Sequence, residues 1–226
     1  MKKLIYLLSV VLAFFSCKPR TSADKIKAGE AGKVAEITGY EYKLDPTSSI
    51  IRWRGTKPGG EHYGTVKLTE GKISLEENII TSGKFTIDLN TIVNEDLADK
   101  NFNDKLVGHL KSKDFFFVEE YPLAYFEIIS VEKPADAMGD EEGKPATTHY
   151  VTGNLTLRGV TKSITFPAQI DISDEKVKAV TNPFAIDRTQ WNVSFMSKSV
   201  FAEFKDNFID DNMIIQLELE FVERGK

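Results

Sequence analysis

From Tyr40 onward the chain alternates apolar and polar residues with a period of two, and this constrains its fold more than any other feature. Ser49, Ile51 and Trp53 share one parity, with Ile50, Arg52 and Arg54 on the other. Phe85, Ile87 and Leu89 alternate with Lys84, Thr86 and Asp88. Leu155 and Leu157, Ile164 and Phe166, and the run Ile215, Leu217, Leu219 and Phe221 repeat the pattern. Period two marks strands with one apolar and one wet face, which fits antiparallel sheets. Turn signals recur between these runs: Lys57-Pro58-Gly59-Gly60, Thr69-Glu70-Gly71-Lys72, Thr81-Ser82-Gly83 and Leu157-Arg158-Gly159-Val160. The count is about eight strands, the number expected of a sandwich or a barrel. Leu155–Lys162 reads as a hairpin in which Gly159 supplies the turn.

One stretch departs from period two. Phe102, Leu106 and Leu110 are spaced as one face of a helix, and Asp99 is placed to cap it. The expectation is a short helix packed across a mouth or an open side of the barrel. The helix leads into Phe115-Phe116-Phe117, which cannot all point inward if extended. Pro134 to about His149 holds Gly, Pro and acidic residues without alternation, and reads as a long exposed hairpin loop.

The first residues read as an address. Lys2 and Lys3 precede the apolar run Leu4–Phe15, and Ser16 and Cys17 follow, the layout of an exported protein's signal. That run is too short for a permanent span of a hydrocarbon core roughly 30 Å thick. Ala13-Phe14-Phe15-Ser16-Cys17 resembles a lipobox with Phe14 where Leu is usual, so residues 1–16 are expected to be cleaved and Cys17 lipidated. An ordinary cleaved signal with an incidental Cys17 is the alternative. Residues 17–39 read as the lipidated Cys and a flexible tether, and residues 40–223 as the folded domain. The absence of a long acidic run after Cys17 favours a periplasm-facing anchor at the outer membrane.

Composition closes several doors. The single Cys excludes an intrachain disulfide framework and a Cys-rich zinc site. A net charge of −5 lacks the basic footprint of a nucleic-acid-binding protein. His62, His109 and His149 show no metal-binding spacing, and Asp99, Asn101 and Asn103 start a calcium-loop pattern that fails at Asp104 and Leu110. No nucleophile elbow, phosphate loop or dinucleotide fingerprint is present. No catalytic residue and no metal ligand is therefore assigned. Fifteen Phe imply either a generous core or an apolar cavity.

Four stretches taken in order carry a resemblance. They are Tyr42–Pro46 with Ser49–Trp53, Leu106–Phe117 continuing through Glu120-Tyr121-Pro122 to Phe126, Val151–Lys162, and Ile186–Trp191. Together they resemble the YceI-like, lipocalin-like family of bacterial polyisoprenoid-binding proteins, over roughly Tyr42 to Val222. Trp53–Lys57 and His62-Tyr63-Gly64 look like the lipoprotein-type subgroup. The insert near Asp136–Lys144 departs from compact members. The resemblance implies an all-β fold, an eight-stranded antiparallel barrel with a lipophilic pocket for isoprenoid chains, including quinone tails. An eight-stranded barrel either fills with side chains or holds one ligand.

Parity then selects the residues that would line such a pocket: Ile51, Trp53, Phe85, Ile87, Phe126, Leu155, Leu157, Phe166, Ile215, Leu217 and Leu219. Plain core packing is the competing role for each. His109 is a candidate polar contact to a quinone or head group, with a surface or loop-bonding role as its alternative. Arg188 and Asp187 are expected to tie a turn or strand end. The leading function is a non-enzymatic carrier or store for a long apolar lipid, tethered near a membrane and requiring no cofactor. An enzyme using polar residues at the mouth, or a solid-core interaction module, are the alternatives. Pairing into a homodimer stays open.

Overall fold

The computed structural model describes residues 23–135, 145–201 and 208–223. The expected signal, Cys17 and most of the 134–149 loop lie outside the described residues. The strands are β1 (Asp24–Ile26), β2 (Tyr40–Leu44), β3 (Ile50–Lys57), β4 (Gly60–Glu76), β5 (Ile79–Asn94), β6 (Leu123–Glu132), β7 (His149–Leu157), β8 (Val160–Ile172), β9 (Lys176–Val180), β10 (Phe184–Asp187) and β11 (Asn212–Glu223). The helix α1 spans Lys100–Lys111, and a 3-10 turn covers Arg188–Trp191.

The strands close into a ring. From β4 to β9 each pairs antiparallel with the next. β11 then pairs with β9 and β10 on one side and with β2 and β3 on the other, and β2 and β3 both return to β4. Two wall positions are thus each shared by two shorter strands, which gives eight positions around the ring, as the alternation implied.

Each break in a shared position is sealed by a buried hydroxyl. Between β9 and β10, Thr181 Oγ1 accepts from Leu217 N at 2.9 Å. Between β2 and β3, Ser49 Oγ accepts from Glu220 N at 3.0 Å. A ladder donor that would otherwise be orphaned finds a side-chain acceptor at both places. The β2–β3 turn is held by Asp45, whose carboxylate accepts from Thr47 N, Thr47 Oγ1 and Ser48 Oγ. Those hydrogen bonds, led by the Thr47 hydroxyl, hold the Asp45 carboxyl down to about 2.

Two of the expected turns are not turns. Thr69–Lys72 lies inside β4 and Thr81–Gly83 inside β5. The hairpin between them turns at Glu77 and Asn78, both in the left-handed region at φ 49° and 60°, as a tight hairpin requires. The glycines serve close approach instead. A Cβ on Gly71 would meet Leu44 Cβ at 2.9 Å, and one on Gly83 would meet Ile128 Cδ1 at 2.7 Å. The other two expected turns are present, with Gly59 at φ +83° and Gly159 at φ +73°.

The N-terminal stretch is also more ordered than a flexible tether. β1 runs parallel to β10, pairing Asp24 with Phe184 and Ile26 with Ile186. Gly29 then exchanges both backbone hydrogen bonds with Ser163 of β8, at 2.8 and 3.0 Å. The chain continues across the outside of the ring. Gly32 N donates to Asn154 Oδ1 and Asn154 Nδ2 donates to Gly32 O, at 2.9 and 2.8 Å. Ala35 N donates to Ile128 O, and Thr81 Oγ1 donates to Thr38 O. The polar, aperiodic composition of this segment masked these contacts because they run mostly through backbone groups.

Candidate functional site

Inward side chains from every wall position surround one apolar cavity of about 220 Å³. Protein interiors are close-packed, so the ring is not filled by its own side chains. Of the twelve residues chosen from sequence, eleven line the cavity. Ile51 and Trp53 come from β3, Phe85 and Ile87 from β5, Phe126 from β6, Leu155 and Leu157 from β7, and Phe166 from β8. Ile215, Leu217 and Leu219 come from β11. Trp53, Ile87, Phe126, Leu155 and the three β11 residues are only partly buried although they point inward.

His109 is the exception, and lies outside the lining. Its ring meets Phe115 at 5.1 Å and Phe195 at 4.7 Å, both edge-on, and its Nε2 is 3.4 Å from Asp114 Oδ2. The helical periodicity places His109 one step from Leu110, which does face the cavity. Phe115 stands between the imidazole and the interior, the loop-bonding alternative expected for this side chain.

The aromatic residues divide by role. Phe184 stacks on Phe166 at 4.9 Å, and the chain of contacts continues through Phe126 and Phe85 to Phe221. Such ring pairs add about 0.5–1.5 kcal/mol each beyond burial. Phe115 and Phe116 are buried and line the cavity, whereas Phe117, at φ 49°, turns away onto Tyr121. Helix α1 is capped by Asp99 as expected, through Asn101 N and Phe102 N. Its contribution to the cavity is Leu110. Phe102 is 61% exposed, so of the face drawn through Phe102, Leu106 and Leu110 only the last residue reaches the interior. The helix instead is tied down by Asn103, whose Nδ2 reaches Asn94 and Leu97.

Parity missed part of the wall for a physical reason. On β4 the inward residues are Val66 and Leu68, then Ile73 and Leu75; on β5 they are Ile80, then Phe85, Ile87 and Leu89, then Ile92. Register shifts at Thr65/Lys67, Leu68/Glu70 and Ser74/Leu75 insert extra residues, and each insertion swaps the inward parity. Ile128 and Val131 on β6 differ in parity for the same reason, across a shift at Ile128/Ser130.

The sequence also undervalued Arg188. It is 3% exposed and sits at the end of the cavity beside Asp210 and Asn212. Its Nε donates to Asp210 O, Nη1 to Val193 O, and Nη2 to Phe195 O and Ile209 O, at 2.7–3.0 Å. Burial draws the guanidinium's pKa below its usual value against the opposing pull of Asp211, Asp187 and Asp210. Burial also acts to raise the carboxyl of Asp211. Hydrogen bonds from Ser197 and Ser199 and the charge of Arg188 outweigh it, and the net shift is downward. Asp187 holds the adjoining turn by accepting from Thr189 N and Oγ1, as expected of a strand-end tie. Arg158, at the β7–β8 turn, does similar work from outside, donating to Phe115 O, Lys113 O and Asn192 O. The two arginines tie the segment after α1, at Lys113 and Phe115, to the residues around Asn192–Phe195 and Ile209–Asp210.

The polar groups at the cavity wall are therefore engaged with protein. Trp53 Nε1 donates to Thr65 O, Thr181 Oγ1 accepts from Leu217 N, and Asp210 Oδ1 accepts from Asn212 N and Nδ2. Asn212 Oδ1 has no partner, but it is buried within the protein rather than open to the cavity. Among the described residues no group of three or more His, Cys, Asp or Glu is disposed to hold a metal ion. His62 Nδ1 and Asp96 Oδ2 form a pair at 2.8 Å near the start of α1.

The YceI-like domain description matches residues 42–221. Protein YceI of Salmonella arizonae and of Salmonella paratyphi B are each 34% identical over 133 residues, 58% of this chain and 61% of theirs. The match thus spans about three fifths of the length of these curated relatives. Among solved structures, BcnA of Burkholderia cenocepacia superposes with a TM-score of 0.58 at 22% identity, covering 78% of this chain and 98% of that one. A polyisoprenoid binding domain from Saccharophagus degradans, implicated in plant cell wall breakdown, superposes with a TM-score of 0.55 at 18% identity, covering 85% and 100%. At these identities the two structures establish a shared fold. With a matching domain that runs from β2 to β11 around the apolar ring, the chain belongs to the YceI-like family.

Proposed function

We propose that this protein holds a long-chain apolar lipid, of polyisoprenoid or isoprenoid-quinone type, in the interior cavity and carries or stores it unchanged. The observation that carries the reading is the continuous apolar wall around unfilled space. The binding named for the Saccharophagus degradans domain, which shares the fold, adds support. Each CH₂ moved from water into such a wall is worth about 0.8 kcal/mol. A chain of many carbons would pass the ceiling on non-covalent affinity, near −18 to −21 kcal/mol, so ordering costs offset much of this gain. With the polar groups at the wall already bonded within the protein, selectivity rests on the length and shape of the tail.

The same reading places the protein outside the cytoplasm, exported by residues 1–16 and anchored by acyl chains on Cys17 to the outer membrane, facing the periplasm. A lipid of negligible solubility needs a dry container to leave a bilayer, and an acyl anchor keeps that container at its source.

Tryptophan fluorescence tests the pocket. Trp53 lines the cavity, whereas Trp191 is fully buried and donates its Nε1–H to Leu155 O. Titration with menaquinone-4 is expected to quench the emission saturably, and Trp53→Phe to remove most of that response. Emission unchanged by any isoprenoid quinone would contradict the reading.

A further inference from the structure

We propose that the segment 24–39 works as a belt that holds the outer face of β3, β4 and β11 toward the membrane, within about 20 Å of the bilayer surface. The inference rests on the acyl anchor at Cys17 in the reading above.

A free spacer over 17–39 would have a stretched reach of roughly 75 Å and would let the ring face any direction. The contacts do not permit that freedom. β1 is laddered to β10, and Gly29 is doubly bonded to Ser163, bridging from β10 to β8. Asn154, 5% exposed, grips Gly32 through both of its amide atoms. Lys162 Nζ meets Glu30 Oε1 at 2.9 Å, and Ala35 N is bonded to β6. The last residue before the belt is Ala23, so only the six residue steps from Cys17 to Ala23 separate the anchor from the ring. Their stretched reach is about 20 Å.

Where the belt begins decides which face is near. Ala23 lines a surface cleft with Arg52, Arg54, Tyr63, Glu95, Pro183 and Gln216, on the outside of β3, β4 and β11 and beside the start of β10. Arg52 pairs with Glu218 and Arg54 with Glu61, and the carboxylate of Glu95 also lines the cleft, so this face carries no excess of positive charge. Arginine and tyrosine side chains suit the headgroup layer, and Tyr63 is exposed. The occupant that fits is the bilayer surface, brought close by the short leash rather than by charge attraction.

The test uses the acylated full chain on vesicles of phosphatidylcholine and phosphatidylglycerol. Acylation occupies the only native thiol, so Gln216→Cys or Lys84→Cys supplies a single labelling site, the first in the cleft and the second on β5 across the ring. Energy transfer to a headgroup acceptor is expected to be several-fold stronger from position 216 than from position 84. Inserting about twenty Gly/Ser residues between Arg20 and Thr21 is expected to make the two equal. Equal transfer without the insertion overturns the proposal. Amide exchange, read on protein without acyl chains, separates its parts: Gly29, Gly32 and Ala35 are expected to be protected. Rapid exchange there overturns the belt and leaves lipid carriage untouched. Failure of the acylated chain to remain on vesicles removes the proposal together with the anchor.

Discussion

Arg188 shows how one side chain can set the limits of a cavity. Its guanidinium collects carbonyls from residues 193, 195, 209 and 210, so the chain leaving β10 and the chain entering β11 are held to one point. Its position in Ile186–Trp191 identified it as a strand-end tie, and the structure extends that role to the end of the cavity. Arg188→Leu would strand four buried acceptors and the partly buried carboxylate of Asp211, at 3.5 Å from Nη2. A loss of about 3–5 kcal/mol is expected, the range for breaking a buried charged network. Urea denaturation of the two proteins measures it. Gly153 sets a limit of another kind. A Cβ there would lie 2.2 Å from the Phe126 ring, so Gly153→Ala must push that ring into the cavity or shift the β6–β7 pairing. A cost of about 1–3 kcal/mol is expected from the overpacking, again read from denaturation.

At the scale of elements, the wall is continuous because hydroxyls complete what the broken strands leave open. Thr181→Val keeps the shape of the side chain and deprives Leu217 N of its side-chain acceptor. A loss of about 1–3 kcal/mol is expected, with faster amide exchange at Leu217 as the local signature. The inward faces of β3, β7, β8 and β11 were legible in the sequence because their alternation runs unbroken. The faces of β4 and β5 were not, since bulges at Thr69, at Thr81 and around Asn90 reverse the parity within single strands. Helix α1 was legible in extent and cap, but not in orientation. Its 3.6-residue period locates an apolar stripe without saying how much of it finds a partner, and Phe102 finds none in the core. The belt was hidden for a further reason. Backbone hydrogen bonds leave no mark on side-chain pattern, and the side chains that grip the belt, Asn154, Thr81 and Lys162, sit in strands far away in sequence.

The described strands form a closed eight-position ring, belted outside by the segment 24–39, with Arg158 and Arg188 tying irregular segments together at one end. Among the described residues the polar side chains at the cavity wall, Asn212 Oδ1 apart, are engaged with the protein, and several large rings face the cavity. A solid-core module would close that space with side chains; this ring leaves it apolar and open. The abundance of Phe thus serves both ends: Phe85, Phe126, Phe166, Phe184 and Phe221 form a connected aromatic wall, while Phe102 and Phe117 lie outside it. The central claim is that a lipid occupies the space. Native mass spectrometry of the protein, purified gently from its own host, weighs the occupant directly. A resolved adduct whose extracted mass and fragments are those of an isoprenoid chain is the expected result. Protein that flies at its own mass without an adduct, with no isoprenoid in the extract, would contradict the account.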